Sequence, residues 1–283
     1  MGMMRLWALV LLVAWVQDDP DSKAKFTPEA EQAERDRRAR IEAEVQTLAD
    51  HPWAGRYYQG DGKGVNQRIL LSPKAGFVFT WHGCLGLYDR NFGEVREEKD
   101  TLQLKFAFPN SRKGFQGIAG EMVRISWGER RYLVPADEVE EFCNAVNSGD
   151  EPRPRAHGNF LLRDKDWEKQ VEGKPTLPAA YAGFLLKEPI QAKIVNVGEH
   201  KDREGLAGTR FRTTTVTLNV GKKQGVLPGM RFFLMDDSVN DAKVVRVLEE
   251  QSIAEMEDLL PEGSEGHPPK VDVEVSTRPR WRR

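Results

Sequence analysis

Val271, Val273 and Val275 alternate with Asp272 and Glu274, and Val216, Leu218 and Val220 alternate in the same way with Thr215, Thr217 and Asn219. A period of two puts one set of side chains on each face of a strand. Apolar residues on one face and polar ones on the other mark a half-buried antiparallel sheet. The same texture fills Trp53 to Phe142, a stretch of ninety residues that holds fourteen of the twenty-five aromatics. The alternation predicts strands over Arg56–Gln59, Gln67–Ser72, Gly76–Gly83, Leu85–Asp89, Leu102–Ala107, Met122–Trp127 and Arg131–Val134. A second series begins at Ile190 and runs through Thr214–Val220, Met230–Met235, Lys243–Leu248, Ser252–Met256 and Val271–Val275. Many short strands parted by turn residues such as Ser72-Pro73-Lys74-Ala75-Gly76 and Pro109-Asn110-Ser111 point to a barrel or sandwich in each half.

Helical spacing appears in two places. Thr27 followed by Pro28 reads as an N-cap and first turn, because a hydroxyl accepts an orphan N–H and proline needs no donor there. This helix is expected to end near Ala49, with Ile41, Val45 and Leu48 as its apolar stripe and charge over Glu29 to Arg40. Pro135 to Val146 places Val139, Phe142, Cys143 and Val146 on one side, so it is expected to cap an open end of the first sheet. The fold class is therefore mainly β with flanking helices (α+β), with two small antiparallel barrel or sandwich domains. The expected divisions are an N-terminal signal over 1–17, a charged helix over 27–50, an aromatic β-domain over 51–149, a linker and irregular segment over 150–189, a β-barrel over 190–276 and a basic tail over 277–283.

A positively charged start, Met1 to Arg5, precedes eleven uninterrupted apolar residues, Leu6 to Val16, and then the acidic stretch Gln17-Asp18-Asp19-Pro20-Asp21. That order is a secretory signal pattern. Eleven helical residues rise only about 16 Å against a hydrocarbon core of roughly 30 Å, which disfavours a span. The expected location is outside the cytoplasm, periplasmic or extracellular, with 6–16 either cleaved or kept as an imperfect anchor.

In the second half, Val216-Thr217-Leu218-Asn219-Val220-Gly221, then Gly225-Val226, then Gly229-Met230-Arg231-Phe232 resembles the small β-barrel domains of bacterial envelope proteins such as the rod-shape protein MreC and the flagellar assembly protein FlgT. The resemblance covers some eighty of 283 residues and implies a non-catalytic envelope module that presents a sheet edge or face to other proteins. The residues give an independent reading of Gly221, Gly225 and Gly229 as structural turns, with Gly221 and Gly229 at positive-φ or tight-turn positions. Trp53-Ala54-Gly55-Arg56-Tyr57 resembles the Trp and Gly opening of lipocalin-like barrels with the order reversed.

Few groups suggest chemistry. On a strand, Phe77, Phe79 and Trp81 share one face while His82 and Cys84 share the other, so a thiol-dependent hydrolase or transferase is one candidate activity. The competing reading makes Cys84 a bridge to Cys143, which an oxidising compartment favours. Trp53, Tyr57, Phe77, Phe79 and Trp81 are the candidate lining of an aromatic ligand space, so a small-ligand carrier is the other alternative. Gly60-Asp61-Gly62-Lys63-Gly64 and Gly221-Lys222-Lys223-Gln224-Gly225 lack the Ser/Thr and the immediate helix of a phosphate-binding loop. The five histidines show no metal-ligand spacing, so no metal and no cofactor is expected. With 42 Lys and Arg against 44 Asp and Glu, the formal charge is -2, and no nucleic-acid partner is expected. An envelope protein partner is expected. Arg278, Arg280, Trp281, Arg282 and Arg283 offer peripheral membrane contact, whereas Glu249 to Glu265 holds seven carboxylates and no base.

Overall fold

The computed structural model describes residues 24–60, 62, 64–112, 115–152, 160–205, 209–235, 240–260, 266 and 268–280. The signal expected at 1–17, and Trp281, Arg282 and Arg283, lie outside these residues, as do Asp61 and Lys63 of the glycine loop.

Two closed antiparallel barrels account for nearly all the strands. Barrel one contains β1 (Gly55–Gly60), β2 (Val65–Ser72), β3 (Gly76–Gly83), β4 (Gly86–Glu98), β5 (Thr101–Phe106), β8 (Glu121–Trp127), β9 (Arg130–Pro135) and β10 (Leu161–Arg163), closed in the order β1-β10-β9-β8-β5-β4-β3-β2. A small ribbon of β6 (Ser111–Arg112) and β7 (Phe115–Gln116) interrupts it. Barrel two contains β11 (Gln191–Glu204), β12 (Arg210–Leu218), β13 (Arg231–Leu234), β14 (Asp241–Val247), β15 (Ser252–Leu260) and β16 (Glu274–Ser276), closed in the order β11-β12-β15-β14-β13-β16. The mainly-β reading with flanking helices holds. Barrel one, however, reaches past residue 149: its closing strand β10 comes from the segment expected to be linker and irregular chain. Leu161, Leu162 and Arg163 are all buried, so this strand carries no alternation to read.

Eight strands enclose an interior about wide enough for side chains to fill. Here Tyr57, Ile69, Leu71, Phe77, Phe79, Trp81, Leu102, Leu104, Met122, Leu133 and Leu161 form one buried cluster with Trp53. Phe77 meets Phe106 edge-on at 5.4 Å and Trp81 meets Tyr88 at 5.8 Å. Burying each large aromatic contributes roughly 2–3 kcal/mol.

Both helices cover outer faces of this barrel. Helix α1 (Pro28–Thr47) begins as expected, with the Ala30 N–H donating to Thr27 Oγ1 at 3.2 Å. It lies along β2–β4. Ile41, fully buried, packs on Leu70 and Val78, and Arg37 donates to the carbonyls of Ala75 and Gly93 at 3.1 and 2.6 Å. Glu44 accepts from Ser72 Oγ and from the Lys74 and Ala75 N–H groups at 2.7, 3.0 and 2.8 Å. Burial alone would raise the Glu44 pKa, but these hydrogen bonds hold it below the usual carboxylate value. In the short turn Ala24–Phe26 before α1, buried Lys25 pairs with buried Asp89 at 3.1 Å and ties the chain to β4.

Helix α2 (Val139–Ser148) does not cap a barrel end. It lies against the outer face of β8, β9 and β10, where Val139, Phe142 and Cys143 meet Val123, Ile125, Tyr132, Val134 and Leu162. This placement buries Val139, Phe142 and Cys143 of the expected stripe and leaves Val146 partly buried at the edge of the same cluster. Gly149 closes the helix in the left-handed region at φ 89°.

The polar side of α2 holds barrel two. Asn144 Nδ2 donates to the Gly229 carbonyl at 2.9 Å while its Oδ1 accepts from Arg231 N–H at 3.1 Å. Asn147 does the same with the Phe184 carbonyl and the Leu186 N–H at 2.8 and 3.0 Å. Glu141 accepts from Arg231 Nε and Nη2 at 2.8 and 3.0 Å and from Lys243 Nζ at 3.1 Å. One short helix is thus shared by both barrels, apolar toward the first and polar toward the second.

Candidate interaction surface

Barrel two is longer on one side than its closure requires. β11 pairs with β16 only through Gln191, Ala192 and Lys193, with Ile194 exchanging further bonds with Val273 and Asp272. β14 pairs with β15 no further than Met256. β12, by contrast, pairs with β11 out to Glu204 and with β15 out to Leu260. The ends of β11, β12 and β15 therefore leave the barrel as a three-stranded arm, roughly 20 Å long at 3.3 Å per residue along β11. Among the described strands, β11 has no ladder partner on its outer edge beyond Ile194.

The register assigns the arm's two faces. His200 opposes Thr214, Asp202 opposes Arg212 and Glu204 opposes Arg210, with Met256, Asp258 and Leu260 completing those rows. On the other face, Lys201 opposes Thr213 and Arg203 opposes Phe211, with Glu257 and Leu259 beyond. Arg212 holds Asp202 in a two-pronged contact at 2.7 and 2.9 Å. That hydrogen bond, first among several causes, keeps the Asp202 pKa below its usual value. Arg203 stacks over Phe211 at 4.2 Å and bonds Glu257 at 2.7 Å. Next to this stack Leu259 is 51% exposed. Register shifts on either side of Val195 and of Gly198 and Glu199 mark bulges in β11, and bulges with edge charges limit which strands can add there. The arm is thus an ordered, charged edge with one apolar spot.

The sequence-predicted residues fall elsewhere. β3 ends at Gly83, so Cys84 sits in the exposed β3–β4 turn and leaves the strand face that His82 occupies. No disulfide joins Cys84 and Cys143. Cys143 is buried under α2 against β8–β10, half-way round the barrel from β3 and β4, so the expected bridge is corrected by topology. Burial, with Glu140 nearby, pushes the Cys143 thiol up to about 12. Trp53, Tyr57, Phe77, Phe79 and Trp81 are the packed core described above, not the walls of an open space. Trp53 and Tyr57 do border a cleft of ≈ 210 Å³ at one end of the barrel, beside Arg124 and Arg131. Tyr57 Oη donates to the Trp53 carbonyl at 3.0 Å and Trp53 Nε1 to Glu97 at 3.0 Å. Desolvation raises the Tyr57 pKa well beyond its usual range.

Gly225 and Gly229 adopt φ of 82° and 88°, as a turn role requires. Gly221 does not: its φ is −146°. It is required instead by close approach, since a Cβ there would lie 2.3 Å from the Leu248 carbonyl oxygen. Arg278 and Arg280 are exposed, and Arg280 approaches Glu274 at 4.0 Å. Among the described residues no group of three or more His, Cys, Asp or Glu is arranged to hold a metal ion, and no helix is long and apolar enough to cross a membrane.

Comparison with known families, curated proteins and solved structures finds no match to this chain. The sequence held one sign of the arm, the long unbroken charged run Glu199-His200-Lys201-Asp202-Arg203-Glu204 at the end of a strand. Charge runs are ordinarily solvated faces, so the run alone did not indicate an edge.

Proposed function

We propose that this chain is an exported bacterial envelope protein that acts as a non-catalytic binding or scaffolding module, and that it engages a protein partner through the β11 edge of its arm. The observation that carries the reading is the outer edge of β11 beyond Ile194, which no described strand pairs, backed on its other side by β12 and β15. An added strand gains main-chain hydrogen bonds along such an edge, while side chains on alternate positions select the partner. The signal pattern over residues 1–17 supports export, and the resemblance to small envelope barrels supports a role in assembly over one in catalysis.

The test is site-specific photocrosslinking in intact producing cells. A crosslinker at Lys201 is expected to trap one defined envelope protein, and one at Glu121 on barrel one to trap none. Replacing His200 by proline should abolish the adduct, because His200 opposes Thr214 in a pair whose N–H groups point away from each other, and the change removes an outward donor from the edge. Absence of any discrete adduct along Asn196 to Arg203, or recovery of the unprocessed chain in the cytosol, would overturn the proposal.

A further inference from the structure

The face of barrel one beside α1 holds a second feature, unrelated to the arm. The register places Tyr58, Arg68, Thr80 and Arg90 in one outward row across β1–β4. The neighbouring row, Arg56, Leu70, Val78 and Phe92, runs beneath α1. The step from the covered row to the uncovered one is a groove of ≈ 290 Å³ into which Arg38 of α1 also faces.

Charge is unevenly shared there. Arg38, Arg56, Arg68 and Arg90 line the groove, and Glu34 is its single lining carboxylate. Glu34 is already divided between Arg38 at 2.8 Å and Arg90 at 3.0 Å, with its own side chain only 6% exposed. Arg90 takes Glu31 as well, at 2.8 Å, and Arg56 takes the exposed Glu42 at 3.0 Å. Arg68 has no carboxylate within ion-pair distance among the described residues: its guanidinium lies 5.4 Å from the Tyr58 ring centre. Asp164, exposed at the surface, feels Arg56 and Arg68 electrostatically while desolvation raises its pKa, so it offsets only part of their charge.

Converging guanidiniums repel one another unless an anion sits among them. Their planar forks match the oxygens of a phosphate two at a time, and each such charge-assisted pair is stronger than a neutral one. Below them, Leu70, Val78 and Leu87 offer an apolar floor for a short carbon skeleton. The volume lies at the small end of ligand sites, which run from about 300 Å³ upward, so a dinucleotide is too large.

We propose that this groove binds the phosphate group of a small soluble phosphorylated molecule, with Arg56 and Arg68 as its principal donors and Arg38, held by Glu34, as the third cation. The full chain is titrated by calorimetry with pyrophosphate and with glycerol 3-phosphate at low ionic strength. Saturable binding is expected, and Arg56→Gln and Arg68→Gln should each weaken it about tenfold or more, the fold-change of a lost charge-assisted hydrogen bond. Both arginines are surface residues, and the unliganded melting temperature should stay unchanged, which separates lost binding from lost folding. Arg203→Gln on the arm should leave the affinity as it was.

No saturable heat with either phosphate would overturn the proposal, as would equal affinity in the Arg56→Gln/Arg68→Gln double variant. Equal affinity for citrate would overturn the preference for phosphate. Capture by phosphatidylglycerol vesicles with both soluble phosphates silent would overturn the soluble source.

Discussion

Replacing Asp166 by asparagine should cost barrel one a large part of its stability. The carboxylate is fully buried and accepts from Arg163 Nε at 2.7 Å and Nη2 at 3.3 Å, from the Arg131 N–H at 3.1 Å and from Lys169 at 3.0 Å. Arg163 is itself 2% exposed, and it also contacts the His51 carbonyl and exposed Asp50. Asparagine keeps the shape but removes the charge, leaving a buried guanidinium without its main counter-ion. Breaking such a pair from one side costs about 3–5 kcal/mol, against a total of about 5–15 kcal/mol for a domain. The location matters because Arg163 ends β10, which closes the barrel between β9 and β1. Tryptophan fluorescence in urea isolates the effect, since Trp53, Trp81, Trp127 and Trp167 all belong to barrel one and no described residue of barrel two is tryptophan. With a slope of about 2 kcal/mol per molar urea, the midpoint should fall by roughly 1.5–2.5 M. The double change Arg163→Met/Asp166→Leu should recover most of that loss, because an apolar pair of similar volume carries no desolvation penalty. A single-variant loss under about 1 kcal/mol, or a double variant as unstable as the single one, would refute the reasoning.

Phe79→Ala should destabilise the same barrel by about 3–5 kcal/mol by opening a void in its packed interior, read by the same fluorescence assay. A maleimide should label Cys84 at once in the native protein and Cys143 only after unfolding, since the latter is buried with its thiol pushed up to about 12. At the joint between barrels, burial tends to raise the Glu141 pKa but the Arg231 and Lys243 contacts more than offset it, so the folded value lies below the ordinary 4.5. The stabilisation is therefore complete above pH 4.5 and fades as pH falls below it. X-ray scattering should show the radius of gyration rising in that acid range, and Arg231→Met should show the same loosening at neutral pH.

The parts of the fold open to sequence reading are those where one physical cause acts alone. β3 was legible to the residue because Phe77, Phe79 and Trp81 enter the core in step, and α2 because Val139, Phe142 and Cys143 form a pure apolar stripe. α1 was legible as a helix from its Thr27 cap, but its docking face was not. Arg37 and Glu44 bind to barrel carbonyls and N–H groups on either side of Ile41, so a face that scans as solvated is half hydrogen-bonded to the sheet. β10 fails for the opposite reason: buried on both faces, it has no period at all.

The sites were hidden by the same mixing of causes. In the groove, Arg56, Arg68 and Arg90 stand apart in sequence, each on a different strand, and only pairing register puts Arg68 and Arg90 on one row with Thr80 between them. In the arm, alternation marks the strand equally well inside the barrel and beyond it. What separates the two regions is the length of the partners β16 and β14, set by where those strands end and not by any residue in β11. Lengthening β16 so that it paired past Lys193 would erase the free edge while leaving every side chain of β11 in place. Partner binding that survived such a change would have to come from a face of the arm, not from its backbone.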